Sequence, residues 1–167
     1  MIVLLGLTYW GSRSYKLVIG TFLAFVFIGY FRMWDETMST IAIILTSVIM
    51  SVVIGLPTGI AMSRSDRTQS IVTPILDIMQ TMPPFVYLIP IVMLMGIGKI
   101  PGLIAVVIYA IPPLIRLTNL GIREVDKEAL EAADAFGATK KQKLYQVQLP
   151  LALPTIFAGI NETIMMA

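Results

Sequence analysis

Long apolar runs, separated by short islands of charge, organise this chain. Met38 to Met62 is 25 residues without a charge. A spanning helix needs about 20 apolar residues, with a range of roughly 17–25, so this run predicts a membrane helix. Ile71 to Gly98 holds one charge, Asp77, and four prolines: Pro74, Pro83, Pro84 and Pro90. At about 1.5 Å per residue a straight helix over that stretch would outrun a ~30 Å hydrocarbon core. The prolines therefore predict a broken or kinked element. Ile100 to Ile115 spans only with its flank, to about residue 118. Leu17 to Phe31 is short, and Tyr30, Phe31 and Trp34 form an interfacial aromatic belt at its end. Leu151 to Ala167 is the last apolar run. Met1 to Trp10 is too short to span. It lacks the basic n-region and cleavage site of a signal peptide, and fits the remnant of a preceding membrane helix.

The pattern divides the chain into N-terminal membrane segments, 1–37, and a core, 38–167. The first holds a partial segment, 1–10, and a helix, 17–31. The core is expected to hold helices over 38–62, 71–98 (broken) and 100–118, a polar loop over 119–150, and a final helix over 151–167.

Composition agrees with a bilayer as solvent. The 167 residues are 57% hydrophobic and 13% charged, with a mean hydropathy of +0.86. Soluble domains carry about 25% charged residues. Too few charges remain to cover a soluble surface, which excludes a disordered chain, a nucleic-acid-binding domain and most soluble enzymes. Cysteine and histidine are both absent. That removes thiol chemistry, the commonest general base and the usual metal ligands. No metal, cofactor or nucleic-acid partner is expected, and no catalytic residue is assigned.

The position of the charges sets an orientation. With the polar loop in the cytoplasm, Arg13, Lys16, Arg64, Arg67, Arg116, Arg123, Lys127, Lys140, Lys141 and Lys143 fall inside, and Arg32 and Lys99 outside. Such an excess of inward cations is the expected topology signal, and one missed span would scramble it.

The polar loop has structure of its own. Asp126 is a good N-cap for the helix-forming run Lys127 to Phe136. Its acidic residues Glu128 and Glu131 lie towards the favourable end of the helix dipole. Gly137 stands where a C′ glycine belongs. Thr139 and Gln142 form a capping box for a second short helix, which Pro150 is expected to stop. Ala129, Ala132, Ala133 and Ala135 make the first helix thin enough for another surface to come close. From these residues alone, a helix lying on the membrane and a docking helix are both open.

The spacing is more specific. Glu131-Ala132-Ala133, three residues, Gly137, nine residues, Val147, one residue, then Leu149-Pro150 closely resembles the EAA loop of ABC-importer permeases. From about Met38 onward the chain is similar to that family. Asp77 to Pro90, Gly96 to Gly102 and Pro112 to Thr118 resemble its glycine betaine/proline subgroup, whose members take up quaternary amines as osmoprotectants. The resemblance implies an all-α polytopic bundle of the type I importer class in a bacterial inner membrane. It also implies four partners: an ABC ATPase at the cytoplasmic face, a second permease subunit in a homodimer, an external solute-binding protein and the lipid bilayer. Glu131, Ala132 and Gly137 would form the centre of the ATPase contact, with Ala133, Val147, Leu149 and Pro150 in the same loop. The chain carries no G-x-x-x-x-G-K-[ST] phosphate loop, so ATP hydrolysis is expected on the separate subunit.

Relatives continue with further membrane helices, whereas these residues end at Ala167 inside an apolar run. A fragment truncated at its C-terminus is therefore expected. Asn161 and Glu162 lie within that run, where a carboxylate costs roughly 2.5–3.5 kcal/mol and usually faces a cavity. They are candidate pathway residues, with a paired structural role as the alternative. Met82, Pro83, Pro84 and Phe85 free backbone carbonyls and are candidates for a gate or pathway wall, or a packed kink. Asp77 is expected to reach a partner at headgroup level. Two other functions stay open: an ATP-independent transporter or channel, and a non-functional membrane fragment.

Overall fold

The structure, a computed structural model, describes residues 15–167. The partial segment expected at 1–10 and the cation at Arg13 lie outside the described residues. Seven helices are described: α1 Tyr15–Tyr30, α2 Trp34–Arg64, α3 Asp66–Thr81, α4 Pro84–Met95, α5 Lys99–Arg123 and α6 Lys127–Ala135, then α7 Lys140–Met166. Three of them, α2, α5 and α7, are long and apolar enough to cross a membrane. Helices α3 and α4 pass that test only as a pair, bent by 90° at their junction, and α1 is a shorter apolar helix.

The chain forms two compact units, Met1–Ala42 and Ile43–Ala167. In the first, α1 turns into α2 through a non-glycine residue of positive φ, Arg32 at 55°. Aromatic rings crowd this turn. Phe25 and Trp34 lie 5.9 Å apart, and Tyr30 meets Phe31 edge-on at 5.5 Å.

The second unit is built around α5, over half of whose residues are buried. Helix α2 shows how it packs. Ser47, Ser51, Gly55 and Gly59 form its buried stripe, while Leu45, Ile49 and Val53 on the other side are exposed. A soluble helix hides its large apolar residues. Here small residues face the bundle, because lipid supplies no hydrophobic drive and close backbone approach supplies the attraction instead. A β-carbon at Gly59 would lie 2.6 Å from Thr118 Cβ and 2.9 Å from the Ile115 carbonyl. Across α5, Gly159 of α7 approaches the Leu114 backbone in the same way. Thr163, fully buried, donates to the Ala110 carbonyl at 3.1 Å.

Two apolar clusters fill the unit. Met62, Leu76, Val107, Ile111 and Ile115 join α2, α3 and α5. Ile122, Val125, Leu144, Ala152 and Ile156 join the end of α5 to α7, with Leu130 of α6 and Leu56 and Ile60 of α2 packed on them.

Several boundaries differ from expectation, each for a physical reason. Helix α5 continues past 118 to Arg123, so the first residues of the expected loop are helical. Arg116, counted as a loop cation, lies within α5 and pairs with Asp77 of α3. Pro150 does not stop a helix. Residues Lys143–Gln148 form a π-turn, in which the Leu149 amide bonds back five residues to the Leu144 carbonyl. The wider turn accommodates a proline that α pairing would set against the carbonyl four residues earlier. The expected second short helix is thus the first turn of α7.

Orientation is directly testable. Single cysteines at Lys99 and Lys140 are expected to react with an impermeant maleimide from opposite sides of intact cells. Labelling of both from one side would overturn the charge-based topology.

Candidate functional site

The first site is the helix α6 and the turn after it. Asp126 caps α6, its carboxylate accepting from the Glu128 amide at 3.0 Å. The other end is a Schellman turn. The Ala138 amide donates to the Ala133 carbonyl at 3.0 Å and the Gly137 amide to that of Asp134 at 2.9 Å. This geometry requires a left-handed residue, and Gly137 has φ 73°. The next helix starts two residues later, at the Thr139–Gln142 capping box. Lys143 of the π-turn forms an ion pair with Asp134. Helix α6 is therefore fixed at both ends and tied to the first turns of α7.

Its faces divide clearly. Leu130 and Ala133 turn inward. Glu131, Ala132 and Gly137 are exposed. Between them stands Phe136, 93% exposed, an apolar ring with no cover among the described residues. Of the later loop residues, Val147 is half-buried in the π-turn and Leu149 packs on the second cluster. Pro150 is exposed on α7. The structure thus brings Glu131, Ala132 and Gly137 to one exposed edge, and gives Ala133, Val147 and Leu149 packing positions. A protruding phenylalanine beside a small-residue edge was visible in the sequence only as the end of a helix.

The second site is the break between α3 and α4. Met82 ends α3 with an extended backbone, ψ 131°. Pro83 has no N–H, so the Met79 carbonyl loses its helical donor. The Tyr87 hydroxyl replaces it, donating to Met79 O, with Met82 O at 3.2 Å. Pro83, Pro84 and Phe85 are exposed and Met82 is half-buried. An open cleft of about 320 Å³ begins here, lined by Pro84, Phe85 and Leu88 of α4, Ala105 and Tyr109 of α5, and Met166 of α7. Asn161 and Glu162 are exposed on α7 and do not line that cleft. Tyr87 escaped the sequence reading, although a hydroxyl four residues past a helix-breaking proline is a usable signal.

Charged groups brace the ends of three helices. Arg123 donates to Asp66 at 2.7 Å, to the Met62 carbonyl at 3.0 Å and to Asn119 at 3.1 Å. One guanidinium so gathers the ends of α2, α3 and α5. Among the described residues no group of three or more His, Cys, Asp or Glu comes together to hold a metal ion.

Comparison with known proteins sets this geometry in context. Residues 51–166 match the family described as "Binding-protein-dependent transport system inner membrane component". The chain is 49% identical over 166 residues to the glycine betaine/proline betaine transport system permease protein ProW of Salmonella typhimurium. That match covers 99% of this chain and 47% of the relative. It is 49% identical to the glycine betaine transport system permease protein OpuAB of Bacillus subtilis, over 99% of this chain and 58% of that one. The glycine betaine/carnitine transport permease protein GbuB of Listeria monocytogenes is 49% identical, with 96% and 58% covered. The chain thus spans about half the length of these relatives. Among solved structures, the MetNI methionine ABC transporter in inward-facing conformations superposes with a TM-score of 0.66 at 25% identity, covering 76% of this chain and 65% of that one.

Proposed function

The chain belongs to the family of binding-protein-dependent transport system inner membrane components, and from that premise we propose that it forms part of the membrane pathway of an ATP-driven importer for glycine betaine, proline betaine or related quaternary amines. The pathway lies in a bacterial inner membrane. Energy comes from a separate ABC ATPase at the cytoplasmic face. Solute comes from an external binding protein, and a second copy of the permease completes the pathway.

One observation supports this reading above the rest. Helix α6 is capped at both ends and packed by Leu130 and Ala133 onto the bundle, yet its Glu131, Ala132 and Gly137 edge and the Phe136 ring are open. A helix merely resting on lipid needs no such double fixation. A helix that transmits a displacement does, and Lys143–Asp134 passes that displacement directly into α7. An exposed glutamate offers a charge-assisted contact, and a phenylalanine beside alanines offers an anchor that fits a groove. An ATP-independent channel would have no use for this edge.

The test is co-purification of the full-length permease with its cognate nucleotide-binding subunit, together with ATP-dependent glycine betaine uptake in reconstituted vesicles. Stable association and uptake that ceases without ATP are expected. Uptake unaffected by omission of the ATPase would overturn the proposal.

A further inference from the structure

We propose that Phe85 and Tyr109 form a cation–π site that holds the quaternary ammonium head of the solute in transit, inside the cleft between α4 and α5. The site rests on the importer reading above, since the relatives' named solutes share an N-methylated ammonium group.

Such a head has a permanent charge and no hydrogen-bond donor. A carboxylate can bind it only as a bare charge, whereas aromatic faces bind it through the ring quadrupole while matching its apolar methyl surface. The cleft has this chemistry. Its lining carries no formally charged side chain, and it presents Phe85, 71% exposed, from α4 and Tyr109 from α5. Its volume of about 320 Å³ lies at the lower end of the range for small-molecule sites.

Its place in the bilayer fits a transit site. Tyr109 lies ten residues along α5 from Lys99, so about 15 Å from that end, or roughly half of a ~30 Å core. Helix α3 ends at Thr81, three residues before the first lining residue. The carbonyl end of a helix carries the negative pole of its dipole, which favours a cation nearby. Pro84, like Pro83, has no N–H, so the Gln80 carbonyl also lacks its helical donor. Tyr87 occupies the Met79 carbonyl, which leaves the break rigid while its terminal dipole still acts on the cleft. Two π faces and a helix end attract the head without trapping it, and a solute in transit must also leave.

The experiment uses the full-length permease with its ATPase subunit, purified in nanodiscs, carrying a single cysteine at Leu88 or, separately, at Ala105. These residues contain no cysteine, and any elsewhere in the protein is removed. Maleimide labelling is timed with tetramethylammonium or with neopentyl alcohol, a neutral molecule of similar shape. Tetramethylammonium is expected to slow labelling and neopentyl alcohol to leave it unchanged. Phe85→Leu or Tyr109→Leu should each raise the half-protecting concentration about tenfold, whereas Phe85→Trp should lower it or leave it unchanged. Equal protection by both molecules, no protection, no labelling at either position, or indifference to both leucine variants overturns the site. Should the leucine variants fail to assemble, weaker protection in Phe85→Trp overturns it. The assay needs neither ATP nor the binding protein. Lost ATP-driven uptake with protection intact therefore tells against the importer reading alone, and uptake without protection against the site alone.

Discussion

Replacing Gly137 by valine is expected to weaken association with the proposed ATPase partner while leaving the permease inserted in the membrane. The reason is conformational. Gly137 has φ 73°, and a β-carbon there would meet nothing within 4 Å. Space is ample, but a β-branched residue in the left-handed region costs about 1–3 kcal/mol. To escape, the turn must open, which breaks the amide bonds to the Asp134 and Ala133 carbonyls. The exposed edge of α6 then loses its fixed position relative to α7. A misplacement of that energy corresponds to a fall in ATPase association of roughly five- to a hundredfold. Gly137→Asn, which tolerates left-handed backbone, should lose far less. Glu131→Ala should weaken association with no change in the α6 turn, because its side chain is exposed and outside the capping bonds. Pull-down of the nucleotide-binding subunit and uptake in reconstituted vesicles check all three. Normal association and uptake in both Gly137→Val and Glu131→Ala would sink the coupling role of this helix.

Gly59→Val should fail for the opposite reason. Its backbone is ordinary helix, but the space is taken: the added β-carbon would sit 2.6 Å from Thr118 Cβ and 2.9 Å from a carbonyl of α5. The far end of a flexible side chain can yield, whereas a Cβ and a backbone oxygen cannot. Overpacking of this kind costs typically about 1–3 kcal/mol, and here it falls on the contact between α2 and the central helix. The expected result is a lower melting temperature in detergent and faster proteolysis of the bundle, with Gly59→Ala intermediate. Gly137→Val should disturb the bundle less, with any new proteolytic cut confined to the opened turn after α6. A Gly59→Val protein as heat-resistant as the parent would show that the α2–α5 crossing is looser than described.

The features legible in the sequence are those written locally. Asp126, Gly137 and the Thr139–Gln142 pair announce their caps within four residues, and each cap is present. The uncharged run 38–62 lies inside the longer helix Trp34–Arg64, and the prolines at 83 and 84 mark the break, though not its 90° bend. What escaped depends on distant partners or unusual pairing. Arg116 looks like a loop cation because its partner Asp77 stands 39 residues away. The π-turn has no compositional mark, so Pro150 reads as a stop. The inward turn of Ala133 is hidden because a nine-residue helix rich in alanine has too little contrast to show which side is buried. The exposed edge of Glu131, Ala132 and Gly137 was singled out because these positions follow a fixed spacing. The cleft was not, since Phe85 and Tyr109 line it from two helices that the sequence lists separately.

Arg123 also bears on the order in which this protein is made. Its carboxylate partner, Asp66, precedes it by 57 residues, and the Met62 carbonyl by 61. When the tight turn at Ser65 leaves the ribosome, the Asp66 carboxylate and the Met62 carbonyl have no guanidinium to bind. Their guanidinium arrives after α3, α4 and nearly all of α5 have been synthesised. The hairpin of α2 and α3 is therefore made before the side chain that fastens it. That fastening belongs to the step in which α5, which carries Arg123, packs against the hairpin.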